Sequence, residues 1–173
     1  MRSYAYVGPP DIRLRSLGKP AGREIRSAAD VLTWARDTGQ DIRRGFPVAA
    51  TYVIDEESRL LIADRHSEHV ACAAGRNVLA AGEVFFVVES PSSVHIDEIS
   101  NQSTGYCPRS DCWEAVALAL DRIGLSHPRD FTTICTFRKC GSCGERNIVK
   151  DGWFYCDVCG EALPEKWNFT DLE

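Results

Sequence analysis

The spacing of apolar positions changes along the chain, and each change marks an element. Residues 1–24 show no period: Gly, Pro and Arg are interspersed with isolated apolar pairs, which predicts an extended basic lead-in. At Ser27 a helical period begins. "SAAD" has the form of a capping box, with Ser27 as cap and Asp30 three residues on. Val31, Leu32, Trp34 and Ala35 supply the apolar stripe, and Gly39 ends it. "FPVAATYVIDEESRLLIADRH" reads as a β-hairpin, with strands over residues 48–54 and 59–63 and a turn at 55–58. "HVACAAGRNVLAAGE" is rich in small residues and predicts a tight helix or loop with Gly75 and Gly82 as hinges. "EVFFVVES" is a continuous apolar run suited to a central strand; "PSS" turns it, and "VHIDEIS" pairs back as a second hairpin. "DCWEAVALALDRIGL" places Trp113, Val116, Ala117, Leu120 and Ile123 on one helical face, with Asp111 as cap and Gly124 as stop. "DFTTICTFRKC" predicts a last strand running into a pair of cysteines. The pattern as a whole is that of an α+β fold: a mostly antiparallel sheet of four or five strands with two main helices, over residues 25–135.

The remaining segment, 136–173, has too few apolar residues for a core, and its cysteines change the picture. Cys140-x2-Cys143 and Cys156-x2-Cys159 are separated by twelve residues, and a glycine follows within each motif or directly after it. Two residues between thiolates let one tight turn place both sulfurs on a tetrahedral ion, about 2.3 Å away for zinc. Asp151-Gly152 between the pairs is a hairpin signal. The segment therefore reads as a zinc ribbon, in which the metal supplies the folding energy that burial cannot. A redox Cys-x-x-Cys would occur once, opening a helix; this one occurs twice, in turn context. Four thiolates close the coordination sphere, so the expected zinc is structural. The rings of Trp153, Phe154, Tyr155 and Trp167 are expected to dock the ribbon on the body, since large apolar rings favour burial.

Composition is that of an ordinary soluble domain, with 44% apolar and 26% charged residues in a chain of 173. No apolar run approaches the length of a membrane span, and the N-terminal stretch lacks the apolar core of a secretory signal. With eight cysteines, four of them in metal-type pairs, the expectation is a reduced, cytoplasmic protein rather than a disulfide scaffold. The net charge of −5 is uneven: residues 1–50 carry nine Lys/Arg against five Asp/Glu, and residues 51–130 carry six against thirteen. The acidic middle disfavours a wrapped nucleic acid, whereas Arg13, Arg15, Arg23, Arg26, Arg43 and Arg44 would serve one if they shared a face.

Candidate chemistry in the body lies in residues 64–83 and 99–108, which contribute His66, His69, Glu83, Asn101, Ser103, Tyr106 and Cys107. Cys107 with His69 as base, and Tyr106 beside them, would make a nucleophilic site if the fold brings them together. The same residues have quieter readings: a satisfied core histidine, a buried thiol, and turn-capping Asn101 and Ser103.

His69, Ala74, Gly75, Ala81 and Gly82, then Ser103, Tyr106 and Pro108, then the helix from Trp113, resemble a domain of plant calmodulin-binding IQ-motif proteins and some bacterial effector- and toxin-associated proteins. The resemblance spans about residues 48–125. Where that pattern has two serines this chain has Val70 and Ala71, where it has a second histidine the chain has Gly105, and there is no IQ motif. The likeness implies a fold and a toxin, immunity or defence setting rather than a reaction.

Three functions follow. The first is a zinc-binding interaction or regulatory module with another protein as partner. The second is an enzyme acting on a nucleotide-like or peptide ligand through His69, Tyr106 and Cys107. The third is a nucleic-acid-binding zinc-ribbon protein. An enzyme requires a concavity where His69 and the Ser103–Cys107 turn converge with unsatisfied polar groups. A binding module requires those groups satisfied and an apolar patch exposed elsewhere.

Overall fold

The computed structural model describes residues 1–90 and 92–169. Elements follow in the order α1 (Pro10–Ser16), β1 (Arg23–Ile25), α2 (Ala28–Asp37), β2 (Pro47–Asp55), β3 (Leu60–Asp64), α3 (His69–Cys72), β4 (Val78–Ser90), β5 (Ser93–Ile99), α4 (Trp113–Ile123), β6 (Thr136–Lys139) and β7 (Arg146–Val149). Five strands form one antiparallel sheet in the order β1-β3-β2-β4-β5, and β6 and β7 form a second, two-stranded one. The α+β architecture expected from the patterning is the one observed, with α2 and α4 as its two long helices.

The first hairpin owes its shape to Asp55. Its carboxylate accepts from the amides of Glu57 and Arg59 and from the Arg59 guanidinium at 2.7 Å, and it turns the chain through a left-handed Ser58. Register then runs from Ile54 opposite Leu60 to Ala50 opposite Asp64. Residues Ala50 to Asp55 are buried in succession, so both faces of β2 are covered. The turn expected at "PSS" includes Pro91, outside the described residues; Ser90 pairs with Ser93 across it.

The structure departs from the sequence reading in five places. The lead-in contains the helix α1, which begins on Pro10 as helices tolerate. It is also built into the body: Tyr4 exchanges both backbone hydrogen bonds with Val78, and its ring is buried. The capping box at α2 is displaced: the Asp30 carboxylate takes the Arg26 amide, with the Ser27 hydroxyl on the same oxygen. Asp111 does not cap α4; a 3-10 turn over Ser110–Cys112 leads into the helix, and the Asp111 carboxylate pairs with Arg109. Gly82 is not a hinge but lies in the middle of β4, and the fifth strand of the main sheet is β1, which the patterning did not mark. The edge of β5 is instead covered by the chain at 126–133, through Ile96 N–H to Ser126, Thr132 N–H to Ile99, and the Thr132 hydroxyl.

One core gathers the sheet with α2 and α4, from Tyr4 and Trp34 through Tyr52 and Phe86 to Leu120 and Phe131. A second, small cluster of Cys107, Cys135, Phe137 and Phe169 sits between body and ribbon. A third, of Cys140, Cys156 and Leu163 with Val149 and Phe154 against them, belongs to the ribbon alone.

Candidate metal centre

The ribbon consists of two turns with the same hydrogen-bond plan. In the first, Cys140 N–H donates to Glu145 and Gly144 N–H to Cys140; in the second, Cys156 N–H donates to Glu161 and Gly160 N–H to Cys156. Gly144 and Gly160 close these turns at φ 78° and 77°, where a side chain would be strained. Between the turns, β7 pairs with β6, and Asp151-Gly152 makes the expected two-residue turn, with Trp153 N–H donating to Lys150. The Lys150–Trp153 bridge closes this turn, and a further bridge, Tyr155 to Ala162, forms at the second knuckle.

This frame brings the sulfurs of Cys140, Cys143, Cys156 and Cys159 within 4.8 Å of one another. The Cys140–Cys159 and Cys143–Cys156 separations are both 3.6 Å. A disulfide needs about 2.05 Å. A tetrahedron of thiolates about 2.3 Å from a central ion has edges of ~3.8 Å. The donor set fits a closed four-thiolate metal site and no disulfide. The amides of Cys143 and Ser142 turn toward Cys140, and those of Cys159 and Val158 toward Cys156; they favour thiolates, lowering Cys140 and bringing Cys156 to about 6. The Glu145 amide does the same for Cys143, yet desolvation and the neighbouring sulfurs outweigh it and push that thiol up to about 12. Only a cation among them would hold all four sulfurs as thiolates at this distance.

Asn147 supports the centre, a role its sequence position did not announce. It is buried in β7, donates Nδ2–H to the Cys156 sulfur at 3.5 Å, and accepts the Asp157 amide at 2.9 Å on its other end.

The ribbon is fastened to the body by polar contacts as much as by rings. Asn101, fully buried, accepts Cys135 N–H at 2.7 Å and donates to Cys135 O and Pro108 O. Trp167 Nε1–H donates to Cys107 O at 2.8 Å, and its ring meets Tyr4 edge-on. Arg146 reaches the carbonyl of Thr104 across the seam, while Arg138 holds the carbonyls of Pro164 and Glu165 within the ribbon itself. Of the four rings expected to dock, Trp167 does so and Phe154 packs inside the ribbon. Trp153 and Tyr155 instead stack on each other, centroids 4.6 Å apart, and stay 67% and 45% exposed.

The body candidates are each held by the backbone. His69 Nε2 hydrogen-bonds Gly82 O at 2.9 Å, and although the residue keeps some exposure, desolvation lowers its ring to about 4. Tyr106 is buried and donates its hydroxyl to Arg76 O at 2.7 Å. Cys107 is buried in a left-handed turn, its thiol faces Thr104 O at 3.4 Å, and burial pushes it up to about 12. Tyr106 belongs to the main core and Cys107 to the small cluster between body and ribbon. No hydrogen bond among the described residues joins His69 to Tyr106 or Cys107. Ser103 caps this turn, its carbonyl accepting Cys107 N–H. His66 and Glu83 are outside it: His66 is exposed at the end of β3, and Glu83 is half-buried in β4.

Close packing explains the small residues of these motifs. A Cβ on Gly82 would lie 1.9 Å from Ser100 O, the same oxygen that accepts the Tyr52 hydroxyl. A Cβ on Gly105 would meet the Tyr6 ring at 2.7 Å, and that ring packs edge-on against Tyr106. Tyr6 thus fills the space that a side chain at 105 would need.

The six arginines that would have formed a nucleic-acid face are individually engaged. Arg15 pairs with Asp11, Arg23 with Asp37, Arg26 with Glu24, Arg43 with Asp41 and Arg44 with Glu89, while Arg13 donates to Gly75 O. No helix among the described residues is long and apolar enough to cross a membrane. Comparison of the chain with family models, with curated proteins and with solved structures finds no match.

Proposed function

We propose that this chain is a zinc-stabilised protein-binding module, working in a reducing compartment such as the cytoplasm and presenting the tip of its ribbon to the partner. The observation that carries the reading is the stacked, exposed Trp153–Tyr155 pair, with Val158 of the adjoining knuckle 69% exposed as well. Exposed aromatic pairs on a rigid hairpin are the kind of anchor from which interface energy comes. Asp151, Asp157 and Glu161 lie within a few residues of the pair and make no ion pair among the described residues, so the partner surface that suits them is basic. Eight unpaired thiols, four of them buried in the body and ribbon seam, suit a reducing setting. The likeness to effector- and toxin-associated domains makes a toxin, immunity or defence partnership the first place to look.

Two measurements test this. Purified protein should contain one zinc per chain. The double variant Trp153→Ala/Tyr155→Ala should keep its zinc and its circular dichroism yet lose at least tenfold in affinity for any partner recovered with the wild-type chain. Undiminished capture by the folded double variant refutes the tip as the binding surface.

A further inference from the structure

A cleft of about 440 Å³ opens at the junction of body and ribbon, away from the aromatic tip. Its lining includes Arg109, Arg138 and Lys166, the hydroxyls of Ser110 and Thr136, and the side of Trp167. The three cations come from three separate stretches of chain: the approach to α4, β6, and the segment after the second knuckle. Among the described residues no carboxylate lines it. Asp111 pairs with Arg109 from outside at 2.7 Å. Arg138 donates only to backbone carbonyls, those of Phe137, Pro164 and Glu165. Neither it nor Lys166 has an acidic partner among the described residues. Among the described residues the cleft therefore holds two uncompensated positive charges, in a chain whose net charge is −5. Burial, and after it the charge of Arg109, lower the Arg138 guanidinium from its ordinary value.

We infer that this cleft binds a small phosphate monoester. A carboxylate would satisfy one arginine; two guanidinium groups and an ammonium match a dianion, and concave walls concentrate their field. The volume suits a small molecule. Trp167, fixed by its hydrogen bond to Cys107 O, offers a flat apolar side to the organic part. The site exists only where the ribbon is docked, since Arg138 and Lys166 belong to one side of the junction and Arg109 and Ser110 to the other. It does not depend on the tip being an interface.

The test is calorimetric titration of the metal-loaded full chain with phenyl phosphate and, separately, inorganic phosphate, at low and moderate salt. Phenyl phosphate should bind saturably with a dissociation constant below about 1 mM, more tightly than inorganic phosphate, and more weakly as salt rises. Lys166→Glu, at an exposed position, should weaken it at least fivefold. Asp111→Asn, which frees Arg109, should tighten it. Absence of saturable binding, equal affinity for the two anions, or indifference to both substitutions in folded protein overturns the assignment.

Discussion

The body and the ribbon are held together by opposite means. The body buries a continuous apolar core in which β2 is covered on both faces, and its polar groups serve that core: the Tyr52 hydroxyl, His69 and Tyr106 each end on a backbone carbonyl. The ribbon's own cluster is two cysteines and a leucine, with two half-buried side chains against it. So little apolar surface cannot offset the conformational entropy of some thirty residues. What organises the ribbon is four sulfurs at the spacing of a metal tetrahedron. Small residues mean different things in the two halves. Gly82 is required by what lies against it, Ser100 O, whereas Gly144 and Gly160 have open space around them and are required by their own backbone angle.

Removing the metal breaks the comparison at its weakest point. Chelation should cost the ribbon a binding free energy on the order of 10 kcal/mol, so hydrogen exchange should show residues 136–169 losing protection while β2 and β4 keep theirs. Uniform loss through the chain would mean the body cannot stand without the ribbon.

Gly82→Ala attacks the other half. The added carbon cannot be accommodated without moving Ser100 and the β5 end, and the expected loss is about 3 kcal/mol in urea unfolding with zinc content unchanged. A loss under ~1 kcal/mol would mean that the two strands separate easily.

Asn101→Ala cuts the seam. It leaves Cys135 N–H and two carbonyls without their buried partner, at a cost of about 2–3 kcal/mol. The ribbon should stay metallated but exchange faster at Cys135 and Phe137. Unaltered exchange there would assign the docking to Trp167 and Arg146.

The last effect is graded by pH. Burial holds His69 at about 4 when folded, below its value of about 6.5 in the unfolded chain. The unfolded state therefore binds the extra proton between those values. Stability is complete above about 6.5 and falls as the pH drops toward 4, by at most ~1.4 kcal/mol per pH unit. His69→Gln, which retains a donor for Gly82 O, should flatten the slope in urea midpoints between pH 4 and 6.5. An unchanged slope would place the acid sensitivity in other groups.

What was legible in the sequence was local. The β2–β3 hairpin, the α4 stripe and the two knuckles each depend on residues a few positions apart, and the patterning located them. Gly82 looked like a hinge because nothing local reveals that Ser100 lies over it. "DFTTICTFRKC" declared a strand, and β6 forms at its end, but its partner β7 is reached only after the first knuckle, so nothing local named the sheet it joins. Asn101 had the composition of a turn cap, and its real partner lies 34 residues on. The lead-in hid its order for the same reason: Tyr4 and Tyr6 find their places against Val78, Trp167 and Gly105 only in the folded chain. The arginines of the first fifty residues suggested a stripe until the structure showed an acid beside most of them.

Those first residues also set a limit on how the protein can be trimmed. Tyr4 spans the seam, with its backbone in the sheet and its ring on Trp167, and Val7 N–H reaches the Gly105 carbonyl. A version starting at residue 8, as a protease nick or a cautious cloning choice would give, opens a furrow beside Tyr106 and releases one face of the tryptophan that closes the junction.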